Sequence, residues 1–345
     1  MHLVKSQSVR IGSFLLLTAF LSGTGTHAQA VPALVYTDDN RGPAPIPPSE
    51  RGLQTVTAEP WLKVSEKDMQ VEGAAFDRAG NLHFVDVYGG RVLRVTPDKQ
   101  LSVVFTRASW NPSGIAIHKD GRLFVSSVSD GAASGSVLSM RADGTDVHDV
   151  VPASAGYRPN DLVFDAQGGI YLSDFRGTST EPEGGVYYVA PITNSVTPVL
   201  PHLAMANGVA LSPGGKTLWA TEYGRNLLHR ADLKDPVTLA PFSTSIPYQF
   251  TGTAPDSMRA DADGNLYVAI YGQGRVLVFN AIGLPIGQVL LPGRREGHYL
   301  HSTSMAFLPG TDDLFIVSND AEGGKGAEIF RVRGFARGLK LYSHQ

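Results

Sequence analysis

The 345-residue chain contains no cysteine. That excludes disulfides, thiolate nucleophiles, thiolate-bound metals and a lipid-bearing cysteine. No apolar run approaches the roughly 20 residues needed to cross a bilayer, and no run of lysine or arginine is present to track a phosphate backbone. Charged residues make up only 18% of the chain and the formal net charge is −3. Nucleic acid and stable membrane insertion are therefore not expected. Two hydrolase signatures are also missing: a Gly-x-Ser-x-Gly nucleophile elbow and a His-Glu-x-x-His zinc pair. Apolar spacing of 3 and 4 is nowhere sustained as a helical solenoid would require.

Punctuation is abundant instead. The 38 glycines and 22 prolines argue for many tight turns between short strands. A hydrophobic share of 42% is enough for a full core. Lys5 and Arg10 precede a short apolar stretch from Ile11 to Leu21, and Ala28-Gln29-Ala30 fits a small-residue cleavage site. Residues 1–30 therefore read as a secretory signal peptide, and a soluble protein, secreted or periplasmic after cleavage near Ala30, is expected. Residues 31–59, with Pro43, Pro45, Pro47 and Pro48, read as a Pro-rich, extended lead-in with no core of its own. Residues 60–345 read as one domain, a monomer or weak oligomer.

That domain is a repeat. Glu72-Gly73-Ala74-Ala75-Phe76 is followed by an Asp-Gly-Asn turn and the strand Leu82-His83-Phe84-Val85-Asp86. The same order of apolar strand, Asp/Gly/Pro turn and strong strand restarts at Ser113, Asn160, Asn207, Asp256 and Thr303. Successive starts are 41, 47, 47, 49 and 47 residues apart. A period of about 40 to 50 residues made of strands and turns is a β-propeller blade. The fold class is thus all-β, a six-bladed β-propeller with a central metal-binding cavity, and the stretch around Val56 to Val64 is a candidate outer strand closing the ring.

Equivalent positions in a propeller share radius and height. The six openers are Glu72, Ser113, Asn160, Asn207, Asp256 and Thr303. Each Asn or Asp alone could be an ordinary turn former. Two carboxylates and two amides at one register instead point to a ring of oxygen ligands around the axis. Such a hard site of charge −2 suits one divalent cation, calcium first, with zinc, manganese or magnesium as alternatives.

At these residues the chain resembles the family of gluconolactonases, regucalcin (senescence marker protein) and luciferin-regenerating enzyme. Glu72-Gly73, Arg158-Pro159-Asn160-Asp161, Asn207-Gly208-Val209-Ala210-Leu211-Ser212-Pro213 and Pro255-Asp256-Ser257-Met258 carry the likeness, over about residues 60 to 335. The resemblance implies a six-bladed propeller, a divalent ion in its central cavity and a small-molecule lactone as substrate. It implies Glu72, Asn207 and Asp256 as metal ligands, and Asn160 as a ligand or a substrate contact. It also implies Arg158 as an arginine that touches the oxygens of a sugar lactone. Ser257 departs from the family's usual glycine after the Asp.

The expected chemistry is lactone opening by metal-activated water, with Asp256 orienting or deprotonating the water and Arg158 and Asn160 binding substrate. His301 precedes Thr303 as Arg158 precedes Asn160, so a substrate contact or proton shuttle stands beside a plain surface role; His298 is a weaker candidate. Tyr88, Tyr223 and Tyr271 either line the cavity mouth or pack between blades. Small sugar lactones are favoured over alkyl or aryl lactones. A broader metal-dependent esterase, or a non-catalytic propeller with a structural ion, remain as alternatives.

Overall fold

The computed structural model describes residues 32–131 and 133–345. The signal peptide expected over residues 1–30 lies outside them. The chain divides into Met1–Tyr36 and Thr37–Gln345. Of the first unit only residues 32–36 are described, as exposed chain without regular structure.

In the second unit the strand-and-turn repeat folds into six sheets. Blades 1 to 6 take residues 71–106, 110–151, 159–203, 206–249, 255–290 and 301–333. Their first strands are Val71–Phe76, Trp110–Ile117, Pro159–Phe164, Ala206–Leu211, Pro255–Ala260 and His301–Phe307. Each packs against the first strands of both neighbouring blades, the sixth against the first, so they form the inner ring of a six-bladed propeller. Every repeat start read from the sequence falls on one of them.

Within a blade the strands run antiparallel in chain order. The apolar core is correspondingly divided into six wedges, each between adjacent blades. Phe84 of blade 1 meets Phe315 of blade 6 in one wedge, and Trp219 of blade 4 meets Phe279 of blade 5 in another. A sheet face apolar enough to stand alone would be exposed; turned against the next blade, both faces are buried.

Blade 6 supplies three strands of its own. Its fourth is Glu59–Ser65, antiparallel to Ala327–Arg333, and this strand closes the ring. Gln54–Thr57 adds a fifth strand to blade 5, parallel to Pro285–Leu290. The Pro-rich segment before it is anchored to the propeller. Glu50 is buried in an ion pair with Arg275 of blade 5, the Gln288 amide donates to the Glu50 carbonyl at 3.2 Å, and Arg294 donates to the carbonyl of Ala44.

Candidate active site

The inner strands share a defect. Their pairing with the second strand slips in register between Glu72 and Ala75, Pro112 and Gly114, Pro159 and Leu162, Ala206 and Val209, Pro255 and Met258, and Ser302 and Ser304. A bulge releases a residue from the ladder and re-aims its side chain. Five of the six openers lie inside the slip, and Glu72 lies at its edge. The repeat therefore carries not just a strand but a kink at a fixed level of the ring.

Close approach between blades is built into this level. A Cβ on Gly208 would lie 2.6 Å from the Asp256 carbonyl oxygen, and one on Gly114 would lie 2.5 Å from that of Asn160. Hydroxyls stitch the same contacts. Thr221 Oγ1 donates to the Asp256 carbonyl at 2.9 Å, Ser113 Oγ to that of Asn160 at 2.9 Å, and Thr303 Oγ1 to that of Val71 at 2.6 Å. Two of the six openers, Ser113 and Thr303, thus spend their hydroxyls on the neighbouring blade.

Glu72, Asn160, Asn207 and Asp256 are all buried. Asn160 Oδ1, Asn207 Oδ1 and Asp256 Oδ1 have no hydrogen-bond partner, a costly condition for buried oxygens. The Asn207 side chain and Glu72 lie beside the Asp256 carboxyl group, and Glu72 Oε2 accepts from Gly73 N at 3.0 Å. Burial raises Asp256 to about 8, with Asp161 adding repulsion and the Asn207 amide opposing it. Burial likewise holds Glu72 well above the usual carboxylate range, reinforced by the charges of Asp256 and Asp161. Among the described residues no group of three or more His, Asp or Glu is arranged to hold a metal. The donor set here is two carboxylates and two amides, all oxygen, which fits a hard cation such as calcium.

The sequence assigns no role to two charged residues of this centre, although Asp161 closes the Arg158–Asp161 stretch. Arg259 of blade 5 extends to Asp161 of blade 3, Nη1 to Oδ2 at 2.9 Å, and its Nη2 donates to the Ala74 carbonyl of blade 1 at 3.2 Å. The guanidinium therefore spans the central channel beneath the oxygens, and its charge partly offsets the repulsion on Glu72. Both partners sit one and three positions after an opener, but only the closed ring brings them together.

Phe175, Tyr223 and Tyr271 each follow the second strand of a blade, and His301 begins the inner strand of blade 6. Phe175, Tyr223, Tyr271 and His301 form an arc over blades 3 to 6. Ring centroids are 5.4 Å apart for Phe175–Tyr223, 6.3 Å for Tyr223–Tyr271 and 4.2 Å for Tyr271–His301, which stack at 10°. Burial, Asp256 and other neighbours raise the Tyr223 and Tyr271 hydroxyls, so both rings lie within electrostatic reach of the buried carboxylate. Tyr88 is exposed. His301 Nδ1 meets Asn319 Oδ1 at 3.2 Å, whereas His298 is tied to Asp320 at 3.0 Å. Arg158 sends Nε to the Val128 carbonyl of blade 2 at 3.2 Å, and its main-chain N–H donates to Asp174 Oδ1 at 2.9 Å.

Residues 71–320 match the sequence model of the SMP-30/Gluconolactonase/LRE-like region. A relative from Staphylococcus saprophyticus, lactonase drp35, is 52% identical over 316 residues, which cover 90% of this chain and 98% of that protein. A solved luciferin-regenerating enzyme superposes with a TM-score of 0.67 at 20% identity, covering 83% of this chain and 99% of that one. The calcium-binding protein regucalcin from Agrobacterium tumefaciens gives 0.67 at 19% identity, covering 83% and 98%. At such identities the two structures speak for the fold alone; the sequence matches speak for more. The chain belongs to the SMP-30/gluconolactonase/LRE-like family.

Proposed function

We propose that the chain is a metal-dependent lactonase, a carboxylic ester hydrolase that opens a lactone ring with water at Glu72, Asn160, Asn207 and Asp256. The lactonase class rests on the family and on the 52% identical relative that bears that name. The single observation that carries the site is the set of unpartnered oxygens, Asn160 Oδ1, Asn207 Oδ1 and Asp256 Oδ1, beside a second buried carboxylate, Glu72. These four residues would hold one divalent cation, calcium before zinc, manganese or magnesium. When bound there, such an ion polarises a carbonyl and makes water more acidic.

The chain's own groups do the rest. Asn207 lies beside the Asp256 carboxyl and favours its charged form. The Asp256 carboxylate, through the oxygen not given to the cation, takes a proton from the water that attacks the lactone carbonyl, and returns it to the ring oxygen as the acyl–oxygen bond breaks. Arg158, fixed by the Val128 carbonyl at Nε, keeps its Nη groups for substrate oxygens. The aromatic arc excludes water from one side.

The substrate class follows from which wall dominates. Arg158 and Asn160 favour a hydroxyl-rich sugar lactone. The continuous arc of Phe175, Tyr223, Tyr271 and His301 supports a second reading, an alkyl or aryl lactone. Lys5, Arg10 and Ala28-Gln29-Ala30 further support export after cleavage near Ala30, checked by the N-terminal sequence of the protein recovered from its source. The function is tested with a panel of sugar, alkyl and aryl lactones and simple esters, before and after chelation and with calcium restored. Ring opening lost on chelation and regained with calcium is expected. Turnover indifferent to chelation would remove the ion, and ester-only turnover would move the activity to a broader esterase. No turnover at all would leave a binding propeller.

A further inference from the structure

Arg259 also lines a cavity of the central channel. This cavity, of about 490 Å³, lies among the C-terminal halves of the inner strands, on the far side from the bulges that carry the buried oxygens. Its walls are aliphatic and aromatic, with Ile115, Leu162, Val209 and Leu211 among them. Residues 337–344 pass across its lower mouth as a strap tied at both ends. At one end Ala262 N donates to the Arg337 carbonyl at 2.8 Å and Gly338 N to the Thr311 carbonyl at 2.9 Å. At the other, the Tyr342 ring lies 5.0 Å from His118, and Arg78 Nε donates to the Ser343 carbonyl at 2.6 Å.

Protein interiors are close-packed, and an empty apolar void loses contacts along its whole lining. Apolar cavities of roughly 300–1,000 Å³ are the usual size of ligand pockets. The charged residues of this lining are Arg259, Arg337 and Lys340, with no Asp or Glu among them. Arg259 is satisfied by Asp161 at the inner end. Arg337 and Lys340 stand exposed on the strap, and the nearby Asp312 is taken by Arg333 at 2.7 Å. An apolar chamber with a cationic mouth suits an apolar chain that ends in an anion. We propose that this lower chamber binds a free alkyl carboxylate, its chain within the channel and its carboxylate at Arg337 and Lys340. The site is separate from the lactone site and does not depend on that activity.

The test is calorimetric titration of the calcium-loaded full chain with octanoate, decanoate and dodecanoate, with decanol and decyltrimethylammonium as charge controls. One saturable site is expected, with affinity rising roughly tenfold from octanoate to decanoate as two methylenes are buried. Arg337→Glu with Lys340→Glu is expected to weaken decanoate by about threefold or more at low salt, and by less at high salt. Filling the chamber with Ala116→Phe on the wall, or Leu339→Trp on the strap should the first fail to fold, is expected to abolish binding. Absence of saturable binding would overturn the proposal. So would decanoate binding that survives the filled chamber, or decyltrimethylammonium binding as tightly as decanoate. Because the readout is heat of binding, a chain without lactone turnover would still answer the question.

Discussion

Arg275 of blade 5 and Glu50 of the N-terminal segment form an ion pair in which each side chain is 1% exposed. In blade 1 the equivalent arginine, Arg91, pairs with Asp86 of the adjacent strand, the residue directly opposite it in the ladder. In blade 5 the residue opposite Arg275 is Ile270. The acid that blade 5 lacks arrives from outside the repeat. Glu50→Ala would leave a buried guanidinium with only the Gln273 and Gln288 side-chain oxygens. Removing one partner of a buried pair costs about 3–5 kcal/mol, so the urea midpoint should fall sharply. Glu50→Leu combined with Arg275→Met should recover most of the loss. Equal stability of Glu50→Ala and the native chain would show the pair to be idle.

The buried carboxylates set a dependence on pH. Glu72 and Asp256 titrate higher in the fold than in the unfolded chain, because burial disfavours their charges, with repulsion from Asp161 on both and from Asp256 on Glu72. Their stabilising contribution is complete below about pH 4 and is lost as pH climbs through about 8 for Asp256. Chelator-treated protein should therefore melt at progressively lower temperature from pH 5 to pH 8. Calcium should erase the slope, bind more tightly as pH rises and release protons as it binds. Thermal melts across that range, with and without calcium, check this; parallel curves would contradict it.

Asp256→Asn keeps the shape and an oxygen while removing the charge. Lactone turnover should drop by about 10²-fold or more, the usual cost of an acid–base group. The metal-free variant should nonetheless melt higher than the native chain at pH 8, since a buried charge that Asp161 repels is gone. Opposite effects on rate and stability distinguish a working carboxylate from a structural one.

Arg158→Ala separates the two substrate readings. For a polyhydroxylated lactone KM should rise far more than for an unsubstituted five- or six-membered ring, with kcat little changed. Equal losses on both would assign Arg158 to the lactone group itself. A native preference for alkyl or aryl rings, weakened by Tyr271→Ala, would favour the aromatic wall.

Much of this architecture is legible in the sequence because a propeller repeats its chemistry with its geometry. The openers at 72, 113, 160, 207, 256 and 303 fall on inner strands, and all lie in or beside a bulge. The stretch around Val56 to Val64 overlaps the strands Gln54–Thr57 and Glu59–Ser65, which pair with blades 5 and 6. What periodicity does not reveal are contacts that break it. Glu50 lies outside the repeat, Arg259 meets Asp161 across the axis rather than along a blade, and the arc from Phe175 to His301 is assembled from strand ends of four blades. The lower chamber is invisible for a related reason: its lining reads as ordinary core strand, and only ring closure leaves the middle hollow.

The strand Glu59–Ser65 is made early and used last. It cannot pair until Ala327–Arg333 exists, so the seam of the ring joins stretches separated by nearly the whole propeller. Contacts this distant in sequence slow folding, although the entropy of closing a long loop grows only gradually with its length. Meanwhile blade 6 presents an open edge, guarded by the charges of Glu328, Arg331 and Arg333. New chain ends placed in the short turn between blades 3 and 4, with the old ends linked, would bring the two strands of that seam far closer in sequence. The ring would keep its shape and change the order in which it is assembled.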